Sequence, residues 1–335
     1  MTISLRFAAI TIFICAGFCI APAQKADKKT EVVTPKSYKA PVIEASPALQ
    51  AILNNAVTET LAAFASKGFK PEEVAATLID LRDTSKFQMA EVRGGARIYP
   101  ASVVKMFYMT ALERQLEDGK LTMTPEMTRG LRDMIVDSSN EATQYILDVI
   151  TGTSSGAELP PKQFEAWQYK RDSVNRFFTA MGYTNINANQ KTFCEDAYGI
   201  EQQSRNYKSE NRNALTTNAV ARLLAEIVTG RMNTPERTAA MMTLLKRDPF
   251  TGTDPEDQAH GFTGKLLIDR KMNDVKIWSK AGDTSKTRHD AAYIETADGL
   301  KFVIVVFTEN HAFEKEPIPM IAGKVLDALR QNRER

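Results

Sequence analysis

The stretch VKIWSKAGDTSKTRHDAAYIETADGLKFVIVVF, residues 275–307, decides the fold. Three runs inside it, Val275–Lys280, Ala291–Glu295 and Phe302–Phe307, are rich in β-branched and aromatic residues and read as strands. Ala297-Asp298-Gly299 supplies the tight turn between the last two. Upstream, Val74–Leu81 and Phe87–Val92 flank the turn Asp83-Thr84-Ser85 and give a hairpin signal. Outside both strand groups the period is helical. Leu49, Ile52, Leu53, Val57, Leu61 and Phe64 recur over Pro47–Ser66, and Ile321–Leu329 closes the chain. First and last helices can cover one face of a sheet and the middle helices the other. The expectation is an α+β fold, a five-stranded antiparallel sheet flanked by helices with a helical block inserted mid-chain.

Of 335 residues, 43% are apolar and 25% charged, an ordinary globular balance. A formal net charge of +2 gives no bulk field aimed at nucleic acid, and no nucleic-acid partner is expected. The first segment stands apart. Arg6 precedes the apolar run Phe7–Ile20, and Ala21-Pro22-Ala23 places small residues where a signal peptidase cuts. Residues 1–23 read as a secretory signal, short for a membrane span, which predicts a secreted or periplasmic protein with no stable membrane anchor. Residues 24–45, rich in Lys, Thr, Pro and Ala, read as a flexible leader, and residues 46–335 as one domain. A monomer is expected. After cleavage Cys194 is the single cysteine, so no intramolecular disulfide can form. His260, His289 and His311 are scattered and no Cys/His cluster has metal-ligand spacing, so no metal and no other cofactor is expected.

Three short motifs carry the chemistry. Ser102-Val103-Val104-Lys105 puts a serine at the start of an apolar helix and a lysine one turn on, on the same face. There the serine meets unsatisfied N–H groups and the positive dipole end, and a desolvated lysine can take its proton. The plain structural alternative is an N-cap serine and a snorkelling lysine. Ser138-Ser139-Asn140 precedes Glu141, which also fits a capping box. Lys280-Ala281-Gly282 ends a strand. In this order the motifs resemble the S-x-x-K, S-x-N and K-x-G set of the penicillin-recognising serine hydrolases, and most closely the class A β-lactamases. Asn211–Thr217 followed by Ala221–Leu224 also resembles the end of their Ω-loop and the next helix.

That resemblance implies a β-lactamase/transpeptidase-like fold and a Ser102 acyl-enzyme. Ser102, Lys105 and Ser138 would be catalytic, with Ser138 passing a proton to the leaving nitrogen. Asn140, Lys280, Gly282, Asp283 and Arg288 would bind substrate: Asn140 an amide carbonyl, Lys280 and Arg288 a carboxylate, and the Asp283 N–H an oxyanion with that of Ser102. Two positions depart from the pattern: Ser139 replaces an aspartate and Ala281 a threonine. The span from Ser102 to Ser138 is short for class A, which implies a more open cleft. No clear E-x-x-L-N appears, so the base for deacylation is left between Glu195 and Glu201, or neither. The implied substrate is a small-molecule β-lactam or acyl-peptide. β-Lactam hydrolysis comes first, with D-alanyl-D-alanine peptidase or small-ester hydrolysis as the alternative and a non-catalytic binding module last.

Overall fold

The computed structural model describes residues 31–193 and 196–332. In chain order its strands are β1 (Ile43–Ala45), β2 (Val74–Asp80), β3 (Phe87–Val92), β4 (Lys246–Arg247), β5 (Lys276–Asp283), β6 (Thr287–Glu295) and β7 (Lys301–Glu309). Its helices are α1 (Pro47–Ala63), α2 (Lys105–Glu117), α3 (Pro125–Ile135), α4 (Asn140–Thr151), α5 (Pro161–Arg171), α6 (Ser173–Ala180), α7 (Ile200–Arg205), α8 (Thr217–Val228), α9 (Pro235–Leu245), α10 (Thr263–Asp269) and α11 (Pro317–Gln331). All five strands expected from the sequence are present and pair antiparallel as β3-β2-β7-β6-β5.

The sheet is nevertheless seven-stranded and mixed, not five-stranded and antiparallel. β1 pairs parallel with β3, and β4 pairs antiparallel with β5 at the other edge. Both additions are too short to carry a period-2 pattern; tertiary docking creates them. The described part of the segment before α1 is docked as well. Val32 is buried in the core, Tyr38 donates its hydroxyl to Glu226 at 2.8 Å, and β1 lies on the sheet. Residues 31–45 are therefore laid against the domain.

Both faces of the sheet are apolar because both are covered. On β7, Phe302, Ile304 and Val306 join one core cluster while Val303, Val305 and Phe307 join the other. The first cluster is completed by α1 and α11 through Leu53, Val57, Ile321 and Val325. The second is completed by the mid-chain helices, through Phe107, Ile146, Phe178 and Leu223. On α2 every residue from Lys105 to Leu116 is buried, as expected of a helix running through the middle of its layer. Its N-terminal end, which carries Lys105, points at the end of β5. Among the described residues, no helix is long and apolar enough to cross a membrane.

Candidate active site

Ser102 lies in a 3₁₀ turn, Ala101–Val104, that runs directly into α2. The capping positions of these two elements are Pro100 and Val104, so Ser102 is not an N-cap. Ala101 has φ +45°, a left-handed conformation that is strained for a residue with a Cβ. His289 on β6 holds the turn. Its Nδ1 accepts the Thr308 N–H at 3.2 Å, so its Nε2 carries the proton and donates to the Tyr99 carbonyl at 2.9 Å. Burial pushes this imidazole down to about 4, so it is neutral at physiological pH.

Lys105 opens α2 and is fully buried. Its ammonium donates to the Ser138 carbonyl at 2.6 Å, the Ser138 Oγ at 3.3 Å and the Asn140 Oδ1 at 3.0 Å. Ser138 adopts φ +57°, a second strained non-glycine at the site. The capping duty falls to its neighbour: Ser139 Oγ accepts the Ala142 N–H at 3.1 Å and caps α4. Serine and aspartate are near-equal N-caps, so Ser139 in place of aspartate preserves the cap. Ser138 is thereby left to face the cleft.

Lys280 approaches the same hydroxyl from β5. Its buried ammonium donates to Ser138 Oγ at 2.9 Å, Gln258 Oε1 at 2.6 Å and the Ala281 carbonyl at 2.7 Å. Burial first, then the Lys105 and Arg247 charges, hold it well below the ordinary lysine range. Gly282 faces the nucleophile. A Cβ there would stand 2.6 Å from the Ser102 nitrogen, 2.9 Å from the Val103 nitrogen and 3.0 Å from the Pro100 oxygen. Only glycine lets the strand end come this close. Asp283, the last residue of β5, is exposed at the edge of the cleft.

The structure brings Ser102, Lys105, Ser138, Asn140, Lys280 and Gly282 together, and leaves Arg288 out. Its guanidinium is buried, donates to the Gly261 carbonyl at 2.6 Å and stacks over Phe262 at 4.0 Å. Arg288 pairs with Asp283 and so shares a sheet face with Asp283 and Ala281, but its guanidinium is taken up by Gly261 and Phe262. Glu201 is also committed. It pairs with Arg171 at 2.7 and 2.8 Å and with Lys191 at 3.3 Å in the interior, and accepts from Ser155 at 2.9 Å. Burial raises its carboxyl, but these partners outweigh that and hold it below its ordinary value. Glu195 and Cys194 lie outside the described residues.

Sequence reasoning missed three residues: His289, Gln258 and Arg247. Arg247 donates to the Ile135 and Ser279 carbonyls at 3.2 and 2.8 Å, behind Lys280. No local pattern marks Gln258 or Arg247, since their roles come from long-range contacts. The cleft, of about 500 Å³, is lined by Ser138, Gln258, Ala281 and Asp283. A second cavity of about 600 Å³, beside α6, contains none of the motif residues; its Asn175, Asn187, Asn189 and Asn211 hydrogen-bond one another. Among the described residues, no group of three or more His, Cys, Asp or Glu is placed to hold a metal ion. The site therefore offers a half-buried hydroxyl beside two desolvated amines joined through a second hydroxyl, a layout for moving protons during acyl transfer.

The model of the beta-lactamase enzyme family matches residues 56–329. No curated protein matches the chain by sequence. Among solved structures, the chain is similar to a beta-lactamase from Sphaerobacter thermophilus DSM 20745, at 20% identity over 82% of this chain and 97% of that one, with TM-score 0.59. It is similar to the TLA-1 extended-spectrum beta-lactamase at 14% identity, over 83% and 99%, with TM-score 0.58. A PBP-A mutant, solved as an acyl-enzyme complex with penicillin G, matches at 15% identity over 87% and 99%, with TM-score 0.59. At these identities the structural likeness is one of fold.

Proposed function

The chain belongs to the beta-lactamase enzyme family and is a serine hydrolase of that type, and from this premise we propose that it hydrolyses β-lactams through a Ser102 acyl-enzyme. The observation that carries the reading is Ser138 Oγ, held between the buried amines of Lys105 and Lys280. In the reactive form, with one ammonium proton of Lys105 lost to solvent, the amine takes the Ser102 proton as Ser102 Oγ bonds to the lactam carbonyl carbon. The Ser102 and Asp283 N–H groups face the resulting oxyanion, a role supported by the contact of Gly282 with the Ser102 turn. As the C–N bond breaks, Ser138 protonates the nitrogen and is reprotonated from the lysine ammonium behind it. Water then adds to the ester, releases the acid and returns the proton to Ser102.

The shared fold of a penicillin-acylated PBP-A supports this chemistry without fixing the substrate. A second reading keeps the nucleophile and changes the substrate to a small ester or a peptide ending in D-Ala-D-Ala. It is favoured by Glu201, which is locked in ion pairs and unavailable to activate water for fast deacylation. Benzylpenicillin turnover by wild type and Ser102→Ala separates the outcomes. The reading expects lactam opening that disappears in Ser102→Ala. Opening at equal rates in both, or in neither, contradicts it.

A further inference from the structure

One side chain in the cleft has no part in the reaction above. Gln258 lies in the segment joining β4 to α10, and every hydrogen-bonding position of its amide is used. Its Oε1 accepts from Lys280 Nζ at 2.6 Å and from the Ala281 N–H at 3.1 Å. Its Nε2 donates to the Ile135 and Val136 carbonyls at 3.0 and 2.8 Å. The amide is thus a strut from β5 to the end of α3, just before Ser138.

An ammonium and a backbone N–H converging on one oxygen form a receptor for an anionic oxygen, and charge-assisted bonds of that kind are about twice as strong as neutral ones. Here the oxygen is neutral and is the protein's own. All three Lys280 protons are committed, to Ser138, Gln258 and Ala281. A carboxylate could reach Lys280 and the Ala281 N–H together only by expelling the amide and breaking its bonds to Ile135 and Val136.

We propose that Gln258 determines substrate choice by filling, with its own amide oxygen, the position where Lys280 and the Ala281 N–H would hold a substrate carboxylate. The wild-type cleft therefore favours acyl compounds that are neutral or cationic at that position and admits carboxylate-bearing ones only by displacing Gln258. This rests on the Ser102 acyl-enzyme reading. Lys280 supports it: burial, Lys105 and Arg247 all work against its charge, and a neutral amide compensates that charge less than a carboxylate would.

Benzylpenicillin and its methyl ester share the scissile lactam and differ only in that charge. The measurement is the second-order rate constant of Ser102 acylation by each, in wild type, Gln258→Ala and Gln258→Glu. Wild type should prefer the ester at least tenfold. Gln258→Ala should move the acid-to-ester ratio at least tenfold toward the acid, through KM, and Gln258→Glu should move it toward the ester. Labelling with the same ratio in wild type and Gln258→Ala, or a wild type that prefers the acid, overturns the proposal alone. If Gln258→Ala fails to fold, an unchanged ratio in Gln258→Glu overturns it. No labelling by either compound in any variant overturns the acyl-enzyme reading, and this proposal with it.

Discussion

Replacing Gly282 with alanine tests the geometry of the site with a single methyl group. The added Cβ would stand 2.6 Å from the Ser102 nitrogen, where ordinary contact begins near 3.4 Å, so the strand end and the nucleophile turn must part by about 0.8 Å. The nearest neighbours are all backbone atoms, the Ser102 and Val103 nitrogens and the Pro100 oxygen, so no side chain can swing aside. Gly282 has no positive φ, so the cost is contact and not backbone conformation. A misplacement near 1 Å in a catalytic constellation costs about 100-fold in rate, and overpacking of this kind destabilises by about 1–3 kcal/mol. The expected result is acylation of Ser102 slowed by one to two orders of magnitude, read by intact-mass kinetics with benzylpenicillin, in a protein that still folds by thermal melting. Gly95→Ala, where the new Cβ meets nothing within 4 Å, is the control and should match wild type. Gly282→Ala acylating within threefold of wild type would refute the close approach of β5 to Ser102.

Two further outcomes follow from the buried charges. Glu201→Gln leaves Arg171 and Lys191 in the interior short of a counter-charge, and breaking a buried pair costs about 3–5 kcal/mol; the variant should melt well below wild type without trapping an acyl-enzyme. A Glu201→Gln protein that melts normally yet accumulates the adduct would instead make Glu201 the deacylation base. His289 should make stability fall with acid. Its folded value of about 4 lies below the ordinary 6.5, so between those pH values only the unfolded chain binds the proton, and stability present above pH 6.5 is lost as pH falls toward 4. Urea midpoints should show wild type losing about 2–3 kcal/mol more than His289→Gln between pH 7 and 4.5; equal losses would contradict a neutral buried His289.

The central strands were legible because each carries a long β-branched or alternating run, and the covering helices because their apolar residues recur at helical spacing. The motif residues were legible for a related reason. Ser102 and Lys105 are one turn apart, and Lys280 and Gly282 alternate onto one face of a strand, so local geometry alone brings each pair to the same side. What escaped depends on distance. Arg288 shares a sheet face with Ala281 and Asp283, but the Gly261 carbonyl and the Phe262 ring, from a separate segment, claim its guanidinium. β1 and β4 exist only as docked edges. Gln258 belongs to a segment without periodicity, and nothing near it in sequence announces that its amide would meet Lys280. Glu201 was a reasonable candidate base by position, but its partners Arg171 and Lys191 come from separate segments and claim it for the interior.

The most direct test of the account is to map a covalent adduct. Purified protein is quenched seconds after mixing with benzylpenicillin, digested, and the modified peptide sequenced by tandem mass spectrometry, beside Ser102→Ala, Lys105→Ala and Ser138→Ala. The account predicts a penicilloyl group on Ser102, absent from Ser102→Ala and formed at least 100-fold more slowly in Lys105→Ala and Ser138→Ala. An adduct on any other residue, or labelling of Ser102 that is indifferent to loss of Lys105, would contradict it.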